Sequence, residues 1–95
     1  MVRMKSIMSN EKRCFVCGRQ YGLEKHHIFK GTRWRTKSED WGCWCYLCFD
    51  HHRGKNGVHN GNTKLDFQLM KMAQRRFEDL YDHDKFMEVF GRNFL

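Results

Sequence analysis

Leu47-Cys48-Phe49-Asp50-His51-His52 is the stretch of the sequence on which the expected fold depends most. It contains a cysteine and a histidine separated by two residues, and the earlier stretch Cys14-Phe15-Val16-Cys17 contains two cysteines with the same spacing. This spacing lets both members of a pair turn onto one ion, and two such pairs supply the four ligands of a tetrahedral zinc. A small domain gains a stabilising cross-link from such a site. We therefore predict a structural zinc ion held by Cys14, Cys17, Cys48 and His51.

The chain contains five cysteines, so other assignments compete with this one. Cys43 and Cys45 are alternatives for the third ligand, but only Cys48 has a partner at ligand spacing. Cys43 and Cys45 flank Trp44 in a stretch predicted to be a strand, where both would face the same side as small apolar residues. The alternative is that the predicted zinc-binding cysteines are buried free thiols. A dithiol redox pair is disfavoured, because no strand-to-helix pattern follows the first pair.

The composition limits the classes of protein to which the chain could belong. Ninety-five residues make one small domain, and 40% hydrophobic and 15% aromatic residues provide material for a core. The formal net charge of +7 favours a polyanion as partner, usually nucleic acid. No signal peptide is recognisable, and no apolar stretch approaches the roughly 20 residues that span a bilayer. We expect a cytoplasmic protein, in the host cytoplasm if a phage encodes it, with reduced cysteines and no membrane partner.

The domain organisation is predicted as a loose basic N-terminal arm (1–13), a zinc-stabilised core (14–62) and a C-terminal helical extension packed on the core (63–95). Within the core we expect extended segments at 21–29 and 41–47, with a polar loop carrying four positive charges at 30–37 between them. Residues 53–62 are rich in glycine and asparagine, which predicts a tight irregular loop.

Helical periodicity begins at Thr63, a candidate N-cap, and is interrupted at Asp82-His83-Asp84. A second short helix then ends at Gly91. The apolar face of the first helix is predicted to pack in the core, and it comprises Leu65, Leu69, Met72, Ala73, Phe77, Leu80 and Tyr81.

Histidines are concentrated near the predicted zinc site, with five of the six between positions 26 and 59. His26 and His27 are adjacent in an extended segment and should point to opposite sides, so one can bind a metal while the other has a different task. Three neutral imidazoles, those of His26, His52 and His59, could hold one divalent cation with open positions for water and phosphate. His27 would then serve as a general base for phosphodiester hydrolysis.

These motifs, with Lys25-His26-His27-Ile28 and Gly57-Val58-His59 among them, resemble the HNH endonucleases of the ββα-metal (His-Me finger) type. The similarity is greatest to small phage-type forms with a zinc knuckle, such as the recombination-enhancement nuclease, and covers residues 14–62. It implies an α+β fold: a small ββα-metal domain with a zinc knuckle and C-terminal helices. It also implies one catalytic cation, Mg²⁺ or Mn²⁺ with Zn²⁺ or Ni²⁺ as alternatives, and DNA products with a 5′-phosphate and a 3′-hydroxyl.

The sequence departs from this family at one position, because the asparagine expected near Cys43 is absent. In the family this asparagine orients the general base, so Asn56, Asn60 or a backbone carbonyl could orient His27 instead. The spacing from His52 to His59 is also long, and Asp50 or Asp40 could replace His59 as a ligand.

Basic residues near the histidines are the candidate DNA contacts. Arg53 and Lys55 follow the metal ligands directly. The predicted loop contains Lys30, Arg33, Arg35 and Lys37, with Trp34 available to contact a sugar or base. A solvated basic loop is the alternative. A zinc-stabilised nucleic-acid-binding or recombination accessory module is the alternative to a nuclease, and the sequence leaves monomer and dimer open.

Overall fold

Residues 5–95, the part of the chain that the computed structural model describes, contain a two-stranded antiparallel sheet and four helices. The strands pair from Leu23 opposite Cys48 to His27 opposite Trp44. The predicted α+β fold class with C-terminal helices is confirmed. In chain order the elements are β1 (Leu23–His27), α1 (Thr32–Trp41), β2 (Trp44–Cys48), α2 (Phe49–His52), α3 (Thr63–Leu80) and α4 (His83–Phe90).

Helix α1 occupies the position where the sequence predicted a polar loop at 30–37, and that prediction is wrong. The basic side chains favoured a loop, but the spacing of Trp34, Ser38 and Trp41 places all three on one side of a helix. The Ser38 hydroxyl is buried, accepts the N–H of Phe29 at 3.2 Å and donates to the Phe29 carbonyl at 2.9 Å. The helix ends at Gly42, whose φ of 73° is the left-handed conformation that favours glycine.

An aromatic core lies between the sheet and the C-terminal helices. The Phe29 ring, two residues after β1, lies 4.5 Å from that of Phe90 and 5.2 Å from that of Phe94. Phe77 of α3 and Phe86 of α4 are fully buried. Several such rings supply much of the buried apolar area of a small domain, so α3 and α4 complete the core on which the sheet rests.

The caps of the C-terminal helices differ slightly from the sequence prediction. Asn62, rather than Thr63, is the N-cap of α3, and its side chain accepts a hydrogen bond from the N–H of Leu65. Asp82 caps α4 in the same way, and Gly91 ends α4 as predicted. Each cap satisfies a backbone group that a helix terminus leaves without an intrahelical partner.

The N-terminal segment is not loose where the structure describes it. Met8 is 2% exposed, Ile7 donates its N–H to the Gly42 carbonyl at 2.9 Å, and the Arg76 guanidinium contacts the Met8 carbonyl. The first part of the predicted arm, residues 1–4, lies outside the described residues. Within residues 5–95 no helix is long and apolar enough to cross a membrane.

Candidate functional site

Two side chains from the segment before β1 and two from the end of β2 and from α2 form a cluster that could hold a metal ion: Cys14, Cys17, Cys48 and His51. The Sγ atoms of Cys17 and Cys48 are 3.8 Å apart, which matches the edge of about 3.8 Å that zinc–sulfur bonds of about 2.3 Å give in a tetrahedron. The His51 Nδ1 lies 3.2 Å from the Cys48 Sγ and 3.9 Å from the Cys14 Sγ. The predicted zinc ligands are thus brought together.

The local backbone favours the metal-binding form of one of these thiols. Burial raises the pKa of Cys14, but hydrogen bonds from the backbone near Cys17, Cys48 and Val16 outweigh it and lower that pKa to about 6. A thiolate is the form that binds metal. Burial raises the pKa of Cys43 to about 12, and it raises that of Cys45 to about 12 as well. Both stay protonated thiols in the core. Burial raises the pKa of Cys48 as well, so the geometry of the cluster is what supports Cys48 as the third ligand.

A second cluster joins three histidines that are distant in sequence, His26, His52 and His59. One ring nitrogen from each lies within 4.8 Å of the others, so some point is within about 2.8 Å of all three, against metal–nitrogen bonds of about 2.1 Å. His26 is 1% exposed, and its Nε2 has no hydrogen-bond partner among the described residues. A buried polar atom without a partner is costly, and a metal ion is a partner that would satisfy it.

The α2 helix and the loop after it determine how this cluster forms. His51 and His52 are consecutive, so the helix that directs one toward the thiols also places the other beside His26. The loop folds back on α2, because Val58 donates its N–H to the His51 carbonyl and His59 donates to the His52 carbonyl, both at 3.0 Å. Any side chain at Gly57 would meet this backbone, since a Cβ there would lie 2.7 Å from the His52 carbonyl.

Glu24 orients the second of these histidines. Its carboxylate accepts a hydrogen bond from the His52 Nδ1 at 2.8 Å, which leaves the Nε2 of His52 for a metal. Glu24 also contacts the exposed guanidinium of Arg53. These two hydrogen bonds, the one from Arg53 first, lower the pKa of Glu24. Arg53, a predicted phosphate contact, is therefore already paired with a carboxylate.

His27 faces a different element from His26, as expected for neighbours on a strand. Its Nε2 lies 3.7 Å from the carboxylate of Glu39 on α1, and Lys25 holds that carboxylate with contacts of 2.8 and 2.9 Å. Burial lowers the pKa of His27, and the Glu39 carboxylate opposes the shift.

The asparagines expected to orient His27 have other partners. Asn56 donates to the Asp50 carboxylate at 3.0 Å, and Asn60 donates to the Gly54 carbonyl at 3.0 Å. Both hydrogen bonds lie within α2 and the loop after it, so these side chains brace the loop. Asn56 and Asn60 thus have partners other than His27, and the carboxylate of Glu39 is the group that lies near the His27 ring.

An open cleft of about 510 Å³ contains His26, His27, His52 and His59. Arg35 lines this cleft, whereas Arg33 is exposed on α1 and Lys55 is exposed in the loop, and neither lines it. Trp34, expected to contact a base, instead packs edge to face against Phe29 and Phe94 in the core. Of the predicted basic DNA contacts, Lys30 and Arg35 line the cleft, and the others do not.

The sequence reasoning missed both carboxylates of the site. Glu24 stands two residues before His26, so the period of two in a strand places them on one face. Glu39 stands four residues after Arg35, which is the helical spacing for one face, but this signal depends on recognising α1 as a helix.

Comparison of the chain with protein-family models, with curated proteins and with solved structures finds no match.

Proposed function

We propose that this chain is a metal-dependent DNA endonuclease of the HNH type, with DNA processing for a phage or mobile element as its setting. The observation that carries the proposal is the convergence of His26, His52 and His59 in one cleft, with His27 beside them. A cluster of imidazoles with an adjacent fourth imidazole fits metal-assisted hydrolysis better than a structural site, because it leaves ligand positions open to an accessible cleft.

Zinc is the metal that the Cys14 cluster fits best. Three sulfur ligands and one imidazole nitrogen in a tetrahedral arrangement are typical of closed structural zinc sites. In this role the ion links the segment before β1 to the start of α2, and so supports the position of His52.

The catalytic cation would be held by His26, His52 and His59, with Mg²⁺, Mn²⁺, Zn²⁺ and Ni²⁺ as the candidates. Burial and the nearby His52 lower the pKa of His26 to about 3, so its imidazole is neutral at physiological pH, as a metal ligand must be. A cation bound there would supply positive charge that stabilises the negative charge developing on the phosphate and on the departing oxygen.

His27 is the general base in this proposal. It takes a proton from a water molecule as the water oxygen bonds to phosphorus. The bond from phosphorus to the 3′ oxygen breaks, and that oxygen takes a proton from solvent, which gives a 5′-phosphate and a 3′-hydroxyl. The Glu39 carboxylate lies 3.7 Å from the His27 Nε2, so it would hold the imidazole in place and stabilise the imidazolium that forms.

Nicking of supercoiled plasmid by the zinc-loaded chain, tested with each candidate cation, examines the proposal. His27→Ala should lower the rate at least 100-fold, a typical contribution of a general base, with zinc content and folding unchanged. Glu39→Gln should give an intermediate loss of kcat with KM nearly unchanged. His83→Ala is the matched control, because His83 is exposed on α4 and contacts Glu78 rather than the cleft.

A zinc-stabilised nucleic-acid-binding or recombination accessory module is the second candidate, favoured by the missing asparagine. This module would bind DNA without cutting it. DNA binding by a folded, zinc-loaded wild type that nicks with none of the four cations would establish this role and refute the nuclease.

A further inference from the structure

The N-terminal turn of α1 faces the cleft that contains the histidine cluster. Gly31, Thr32, Arg35 and Thr36 all line that cleft. Positions 32, 35 and 36 are three and four residues apart, so they form one face of the helix. The beginning of α1 and one helical face are therefore part of the cleft wall.

This helix terminus offers free donors. Gly31 is the N-cap of α1, no side chain caps the helix, and its first turn contains no acidic residue. The first amide groups of a helix have no intrahelical partner and carry a partial positive charge, a combination that binds anions. The α3 and α4 helices differ, because each has a side-chain cap and an acidic residue in its first turn.

A second observation within the same cleft points to a missing cation, which would in turn attract an anion such as a phosphate. His26 lines the cleft, is 99% buried, and its Nε2 has no partner among residues 5–95. The charge of the cleft also suits an anion, because Lys25, Lys30 and Arg35 line it and no carboxylate does.

Two of these cations are already neutralised from outside the cleft, which leaves the third for a ligand. Lys25 pairs with Glu39, and Lys30 pairs with Asp66. Arg35 is exposed and has no ion-pair partner within the described part of the chain.

We propose that the N-terminal turn of α1 and Arg35 form a subsite for a phosphodiester of the nucleic-acid backbone, an inference that rests on the proposed function for the identity of the substrate. Backbone amides and the planar guanidinium donate to the phosphate oxygens. The subsite holds the phosphate beside the three histidines and His27. The α1 helix, which separates β1 from β2 in the sequence, is thus the substrate-binding element of the cleft.

The test uses the full chain loaded with one equivalent of zinc, and the probe is dimethyl phosphate, a minimal diester. Chemical shifts of the backbone amides are followed by NMR during titration, with and without Mg²⁺. The amides of Thr32, Arg33 and Trp34 should shift with a common Kd. Arg35→Ala should raise that Kd about tenfold, as expected for loss of one charge-assisted contact. Thr32→Asp should raise it at least as much, because its carboxylate occupies the helix terminus without destabilising the helix.

Arg33→Ala is the matched control, since it removes the same charge from the same helix at a position outside the cleft. It should change the Kd less than twofold. Equal effects of Arg33→Ala and Arg35→Ala would show general electrostatics and overturn the subsite, as would silent amides in the first turn of α1. Binding of inorganic phosphate without dimethyl phosphate would overturn the diester assignment in favour of a terminal phosphate.

The outcome separates this inference from the proposed nuclease. Diester binding that Arg35→Ala weakens, in a wild type that nicks no DNA, supports the subsite and refutes only the catalysis. Nicking that is unaffected by Arg35→Ala, together with silent amides, refutes only the subsite.

Discussion

Replacing Cys17 by serine should remove one proposed zinc ligand of the Cys14 cluster without disturbing the core. Cys17 is the exposed member of the cluster, whereas Cys14 and Cys48 are buried, so the substitution leaves no cavity. Serine keeps the size of the side chain but does not supply the thiolate that zinc prefers. Any large loss of stability must therefore come from the metal.

The magnitude follows from the length of chain that the ion closes. Cys17 and Cys48 are 31 residues apart. A covalent cross-link between residues at that separation lowers the entropy of the unfolded chain and stabilises the folded state by about 3.7 kcal/mol, and we apply the same relation to the zinc ion. Small domains are stable by only about 5–15 kcal/mol. Cys17→Ser should therefore remove a large fraction of the free energy of unfolding, about 3–4 kcal/mol.

Urea unfolding followed by circular dichroism measures this loss, with zinc content measured on the same samples. In zinc the variant should unfold at much lower urea and contain less than one zinc per chain. In chelator, wild type and variant should unfold alike, because neither then has the cross-link. Cys43→Ala is the control, because it removes a buried thiol that lies outside the cluster. It should retain zinc and lower the free energy of unfolding by the same amount with and without chelator. A Cys17→Ser protein with full zinc content and an unchanged midpoint would refute the assigned site.

Two further predictions concern the histidine cluster. Gly57→Ala places a Cβ 2.7 Å from the His52 backbone, so the loop must move, the His59 to His52 hydrogen bond must lengthen, and stability should fall by about 1–3 kcal/mol. Calorimetric titration with Mn²⁺ should show at least tenfold weaker binding than for the exposed loop control Lys55→Ala, and equal affinities would contradict the role of Gly57. For pH, His26 has a folded pKa of about 3, below its ordinary value of 6.5, so its contribution to stability is present above pH 6.5 and is lost as the pH falls toward 3. Between pH 7 and pH 5 the zinc-loaded wild type should lose about 2 kcal/mol more than His26→Leu in urea unfolding, and parallel losses in the two proteins would count against a buried neutral imidazole.

The members of the two clusters were predicted from the sequence alone, because they depend on local spacing and on scarce residue types. Two pairs separated by two residues are enough to predict the Cys14 cluster. Assigning His51 to the zinc set left five histidines, from which His26, His52 and His59 were predicted as a second set, and the structure brings these three together. The two strands and the C-terminal helices were also predicted, since their periodicities of two and of three to four residues are regular.

Only the tertiary structure decided what surrounds the histidines. The α1 helix forms because Trp34 packs in the aromatic core and Ser38 bonds to Phe29, just after β1. No local propensity encodes these contacts. Once α1 forms, Arg35 faces the cleft while Arg33 does not. The sequence alone could not distinguish these two arginines. The placement of Glu39 beside His27 has the same cause: the two lie on different elements, and only packing of α1 against the sheet brings them together.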